Sequence, residues 1–158
     1  MSLLDVDELL VALVERVDLV YGPLVDVPEY PDSVDVALVE GAVSSTGDQR
    51  LAQTIRAKTK VLISLGDCAV TSNVPSMRNT IPVKKLLERV YVEGADASPG
   101  VPKDGVPALL HRAVPLADIV KVDLHIPGCP PKPGAIAHVL TSLLDGKKPD
   151  LKGLVRFG

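Results

Sequence analysis

The chain has 158 residues, 46% of them hydrophobic and 23% charged, with a net charge of -3. That length suits one domain with a sizeable core, the composition excludes disorder, and the apolar runs are far too short to span a bilayer. The acidic balance argues against nucleic acid as a partner, and 3% aromatic content with no Trp leaves little surface on which bases could stack.

Residues 3 to 17 place Val6, Leu9, Leu10, Leu13 and Val17 on one stripe, which predicts an amphipathic helix capped by Ser2 with Asp5 in its first turn. Leu19 to Tyr21 reads as a short strand stopped by Gly22-Pro23, and Val34 to Val39 as a second strand, deeply buried. Glu40-Gly41 and a polar stretch, Ser44 to Gly47, lead into a helix over 48–58 with Leu51, Ala52 and Ile55 facing inward. Val61 to Leu65 is the third strand, and Gly66-Asp67-Cys68-Ala69 sits at its end. From Pro75 to Pro115 the chain is rich in Pro and Gly, with one short helix through Val83, Leu86, Leu87 and Val90. Excursions of that length are more often functional than idle. Ile119 to Leu124 supplies the next strand, and 133–145 the last helix, with Ile136, Val139, Leu140, Leu143 and Leu144 on one face and Gly146 closing it.

This alternation predicts a single α/β domain over 1–158, a doubly wound parallel sheet covered by helices on both faces. Such a sheet normally opens with a strand whose first βα turn is a ligand loop, so that strand is expected to lie upstream of Met1, the alternative being a domain that begins with a helix. No charged and apolar leader pattern and no twin-arginine pair appears, so a cytoplasmic location is expected.

The chain has two cysteines, each just beyond a predicted strand. In Pro127-Gly128-Cys129-Pro130-Pro131 the thiol stands between residues that leave the backbone little freedom, a stiff mounting that suits a soft metal ligand. A small core residue in a Pro-rich turn fits equally well. Cys68 and Cys129 should open on the same edge of the sheet, where converging thiolates could hold an iron-sulfur cluster. Such clusters commonly take four cysteines, so spacing alone leaves two unrelated thiols as an open alternative.

Three local sequences, Val39-Glu40-Gly41-Ala42-Val43, Gly66-Asp67-Cys68-Ala69 and Pro127-Gly128-Cys129-Pro130-Pro131, resemble in this order the small subunit of [NiFe] hydrogenases. The likeness extends over Tyr91-Val92-Glu93-Gly94-Ala95 and the closing Leu154-Val155-Arg156-Phe157-Gly158. It is greatest with the short cytoplasmic type of NAD-reducing soluble hydrogenases and more distant with the 20 kDa-type subunit of respiratory complex I. The resemblance implies a flavodoxin-like fold and a [4Fe-4S] cluster with Cys68 and Cys129 as its third and fourth ligands. It places the first two ligands in a Cys-x-Gly-Cys-His loop upstream of Met1. It further implies docking on a large subunit that carries the Ni-Fe centre, and electron transfer toward flavin and iron-sulfur diaphorase subunits that reduce NAD.

By the same resemblance Glu40 stands near the subunit interface as a proton relay, the alternative being an interface or cap contact to Ser44 or Ser45. Asp67 is expected to orient its loop through backbone hydrogen bonds. His111, His125 and His138 are scattered as surface or packing residues, and Lys84, Lys85, Lys147 and Lys148 are solvated. No G-x-G-x-x-G follows a strand, so a nicotinamide site is not expected on this chain. Two rival functions remain: a module binding FMN, with Ser44-Ser45-Thr46-Gly47 as a weak phosphate loop, and a cluster-free scaffold that binds partners.

Overall fold

The computed structural model describes residues 4–23 and 25–157; the predicted cap at Ser2 and the side chain of Leu10 lie outside the described set. The strands are β1 (Val34–Glu40), β2 (Val43–Ser45), β3 (Thr59–Leu65), β4 (Leu109–Val114) and β5 (Leu124–Ile126). The α-helices are α1 (Glu8–Val14), α2 (Thr46–Lys58), α3 (Asp67–Thr71), α4 (Val83–Glu88) and α5 (Pro133–Leu144). β1, β3 and β5 form a parallel sheet in that order, with Val39 opposite Ser64 and Leu65 opposite Ile126. β2 and β4 form a separate antiparallel pair.

Side chains alternate across β3 and divide the core in two. Leu62 packs with Ala52 and Ile55 of α2 and with Leu116, while Ile63 and Leu65 pack with Ile126 and with Ala135, Ile136 and Val139 of α5. Each fully buried branched side chain in these clusters contributes about 1.5–3 kcal/mol. Both faces of the sheet are therefore covered, which is the α/β architecture the sequence predicts.

α2 starts at Thr46, two residues before the expected Asp48, because Ser45 caps it: Asp48 N donates to Ser45 Oγ at 3.1 Å and Asp48 Oδ2 accepts from Ser45 N at 2.8 Å. Arg56 and Lys58 in its last turn complement the helix dipole.

Five expectations need correction. The predicted first helix is a 3-10 turn over Leu4–Val6 followed by α1, and of its stripe Leu13 is buried while Leu9 and Val17 are exposed. Leu19 to Tyr21 is irregular, with no strand beside it among the described residues. β1 is only half-buried because it is an edge of the sheet, not a central strand. The Pro- and Gly-rich excursion contains β4, a 3-10 segment over Val74–Thr80, and a π-helical turn at Arg89–Glu93 that continues α4.

The fifth concerns Ile119 to Leu124, where pairing begins only at Leu124. Ile119, Val120 and Val122 fill the core beside α2 without forming a strand. Asp123 explains the late start, since its N donates to Leu62 O at 2.9 Å and its Oδ2 accepts from Leu62 N at 2.8 Å. The carboxylate thus occupies the place a strand carbonyl would take. The Leu62 amide, with Arg56 beside it, holds the Asp123 carboxyl below its usual value.

Candidate functional site

β3 and β5 lie side by side, so the loops leaving their carboxyl ends are neighbours. Gly66, at φ 83°, turns the chain into α3, and Cys68 is that helix's second residue, half-buried. After β5, Gly128 at φ 138° turns the chain into the exposed Cys129, which precedes a cis peptide to Pro130. Gly66 N donates to Ile126 O at 2.8 Å, Asp67 N donates to Gly128 O at 3.0 Å, and Gly128 N donates to Asp67 Oδ1 at 2.6 Å. Asp67, 4% exposed, thus grips both polar groups of Gly128, and each cysteine stands one residue beyond the grip. The loop-orienting role expected of Asp67 is what its hydrogen bonds show.

Gly128 is dictated by space as well as by φ. A Cβ there would lie 2.6 Å from Pro131 Cα and 2.8 Å from Pro130 O, both backbone atoms with no room to yield. The sequence is therefore read at this point as a demand for close backbone approach.

The donor set is two free thiols on neighbouring loops at the carboxyl edge of a parallel sheet. Among the described residues no group of three or more His, Cys, Asp or Glu gathers as metal donors. Chemically the pair fits a soft iron-sulfur centre, and numerically it fits half of one.

Glu40 ends β1 exposed, so the desolvation cost that would demand a partner for it does not arise in this chain. It lines an open cleft of about 340 Å³ with Ser44, Asp48, Leu51, Ile55 and Leu116. The contacts to Ser44 and Ser45 suggested for Glu40 belong to Asp48 instead: its Oδ2 accepts from Ser44 N at 3.0 Å, Ser44 Oγ at 3.1 Å and Ser45 N at 2.8 Å. Burial pulls the Asp48 carboxyl upward, but these hydrogen bonds outweigh it and hold the group below its usual value.

That arrangement bears on the FMN alternative. Ser44 N and Ser45 N are taken by Asp48, Ser45 Oγ by Asp48 N, and Thr46 N by Ala108 O. Ser44 N, Ser44 Oγ and Ser45 N already serve the Asp48 carboxylate, whose charge would repel a phosphate placed there.

The histidines are dispersed as expected. His111 is exposed, His125 Nδ1 pairs with the fully buried Ser64 Oγ at 2.7 Å, and His138 is half-buried on α5.

Sequence inspection missed the residues that fasten the excursion. Asn79 Nδ2 donates to Ala113 O at 2.8 Å and its Oδ1 accepts from Ala113 N at 2.7 Å, while Arg78 Nη2 donates to Ser44 O at 3.1 Å and Leu110 O at 3.0 Å. Their partners lie more than thirty residues away and carry no local pattern that would betray them.

Fold and site together define a class: a doubly wound α/β domain presenting a braced thiol pair on its ligand edge. The chain belongs to the family described as NADH ubiquinone oxidoreductase, 20 Kd subunit, whose profile matches residues 1–143. It is 39% identical over 156 residues to the NAD-reducing hydrogenase HoxS subunit delta of Cupriavidus necator, covering 96% of this chain and 75% of that one. It is 37% identical over 152 residues to one of the subunits of the vhu F420-non-reducing hydrogenase of Methanocaldococcus jannaschii, covering 95% of this chain. The chain spans 53% of the length of that archaeal relative. A crystal structure of NAD+-reducing [NiFe]-hydrogenase in the H2-reduced state superposes with a TM-score of 0.93 at 34% identity, over all of this chain and 90% of that one. The resemblance drawn from the three motifs is therefore correct at the level of family and fold.

Proposed function

We propose that this chain is the electron-transfer small subunit of a [NiFe] hydrogenase of the NAD-reducing, cytoplasmic type, with Cys68 and Cys129 as half the ligand set of a [4Fe-4S] cluster. The observation that carries the proposal is the mutual grip of Asp67 and Gly128, which holds the two thiol-bearing loops together. It is supported by the name of the NAD-reducing relative and by the close superposition on an NAD+-reducing hydrogenase chain. Among the described residues no helix is long and apolar enough to cross a membrane. The remaining two thiolates come from a strand-and-loop segment that pairs with the open edge of β1.

When bound, such a cluster supplies a one-electron couple close to the Ni-Fe centre of a large subunit, with flavin and iron-sulfur diaphorase subunits as the onward acceptors. The work of this chain is positional. Cys68 and Cys129 donate thiolate sulfur, Gly66 and Gly128 allow the backbone to close up beneath them, and Asp67 fixes the separation of the loops. Glu40, exposed at the end of β1, takes a proton from the partner's side and releases it toward the cleft it shares with Ser44 and Asp48.

The test is iron and acid-labile sulfide content, with electron paramagnetic resonance after reduction, on the complex purified from native cells. Wild type should carry a cluster attributable to this chain, and Cys129→Ser should lose it. A full signal in Cys129→Ser would remove Cys129 from the ligand set, and no cluster in wild type would leave a partner-binding scaffold.

A further inference from the structure

The N-terminal part of the chain is the most acidic, and most of its described residues are exposed. Residues 1–35 hold nine Asp and Glu against one Arg and no Lys, so the rest of the chain is net positive. Seven of those carboxylates, Asp5, Asp7, Glu8, Glu15, Asp18, Asp26 and Glu29, are exposed and make no ion pair among the described residues. The single cation is already engaged, since Arg16 pairs with Asp145 at 3.2 Å.

Within this acidic stretch α1 is apolar almost all round, with the sequence Glu8-Leu9-Leu10-Val11-Ala12-Leu13-Val14. A helix of that kind is normally enclosed. Here Leu13 is buried against the body of the domain, while Val11 is 66% and Val14 62% exposed, three residues apart on the outer face. Leu19 and Val20 continue the exposed apolar surface just beyond it.

We infer that the outer face of α1, with residues 15–20, is a docking surface for a partner protein that presents an apolar patch rimmed by Lys and Arg. The charge pattern selects this occupant. An acid rim repels anionic lipid and nucleic acid, and a symmetric pair of this chain would set two acid rims against each other. A basic-rimmed protein surface satisfies both the uncovered valines and the unpaired carboxylates. The inference does not depend on a cluster at Cys68 and Cys129.

The test uses the complex purified from native cells through a tag on this chain, with a photoreactive benzoylphenylalanine at Val14. The cross-link should fall on another subunit, in a peptide whose apolar residues are flanked by Lys or Arg. The triple variant Glu8→Lys, Glu15→Lys, Asp18→Lys should weaken that subunit's retention about tenfold, with wild-type retention itself falling between about 0.05 and 0.5 M salt. Circular dichroism and the thermal melting of the tagged chain check that the variant is folded. A cross-link within this chain, to a second copy, or to nothing overturns the inference, and so does a folded triple variant that keeps every subunit. Iron content separates the two proposals: a wild-type complex that gives the cross-link but carries no iron attributable to this chain refutes the cluster assignment alone.

Discussion

Removing the carboxylate of Asp67 is the sharpest test of how the site is built. Asp67→Ala deletes a hydrogen bond of 2.6 Å from Gly128 N and strands that buried N–H between two loops. Hydrogen bonds to charged groups contribute about 1.5–3 kcal/mol net, and an orphaned buried donor costs a comparable amount that overlaps with it, so about 2–3 kcal/mol of stability should go. For a domain of this size that corresponds to a fall in melting temperature of about 4–12 °C. Asp67→Asn keeps an acceptor of the same shape, and because neutral hydrogen bonds are roughly half as strong it should lose only about 1 kcal/mol. The assay is urea unfolding, read as the midpoint at unchanged slope, with hydrogen exchange at the Gly128 amide as the local probe. Exchange at Gly128 should accelerate more than at Leu62, whose amide is held by Asp123. An Asp67→Ala protein with the wild-type midpoint and a still-protected Gly128 would refute the grip as the element that joins the loops.

Gly128→Ala should be worse than either, since its Cβ meets backbone at 2.6 Å at φ 138°, and it should abolish cluster assembly while Gly134→Ala, where a Cβ meets nothing, assembles normally. Asp48→Asn should cost about 1 kcal/mol near neutral pH through the weakened capping box. Because the Asp48 carboxyl is lowered below 3.8, its contribution is fully present above that pH and disappears as pH falls through the lowered value. Acid unfolding of Asp48→Asn should therefore lack that part of the pH dependence, which a set of denaturant midpoints between pH 2 and 6 would show. Glu40→Gln should slow hydrogen-deuterium exchange activity of the complex while sparing the cluster signal, and unchanged rates would leave Glu40 without a part in proton transfer.

What the sequence made legible was local. The three short motifs name their backbone demands directly: Gly66 and Gly128 stand where φ is positive, and Cys68 and Cys129 each follow the end of a sheet strand, as the chain order implies. α2 and α5 declare themselves by periodicity because each buries one face against the sheet. What the sequence hid was pairing between distant segments. β4 is half exposed and looks like loop, yet it is a strand because β2 pairs with it and Asn79 and Arg78 hold its carbonyls and an amide from outside. Ile119 to Val122 reads as a strand because it is apolar, but apolarity there reports packing on α2, while Asp123 decides where the ladder begins.

Leu19 to Tyr21 makes the same distinction from the other side. Its composition suits a strand, but a strand is a property of two segments, and a lone extended piece leaves its amides and carbonyls to water. β1 offers the matching deficit, an outer edge with no ladder along it among the described residues, in a chain whose parallel edges are ordinarily covered. One strand laid against that edge would relieve β1, and its following loop would open at the same carboxyl edge as Cys68 and Cys129. On the proposed cluster reading, the uncovered edge of β1 and the two thiols ask for the same kind of segment, a strand followed by a thiolate-bearing loop.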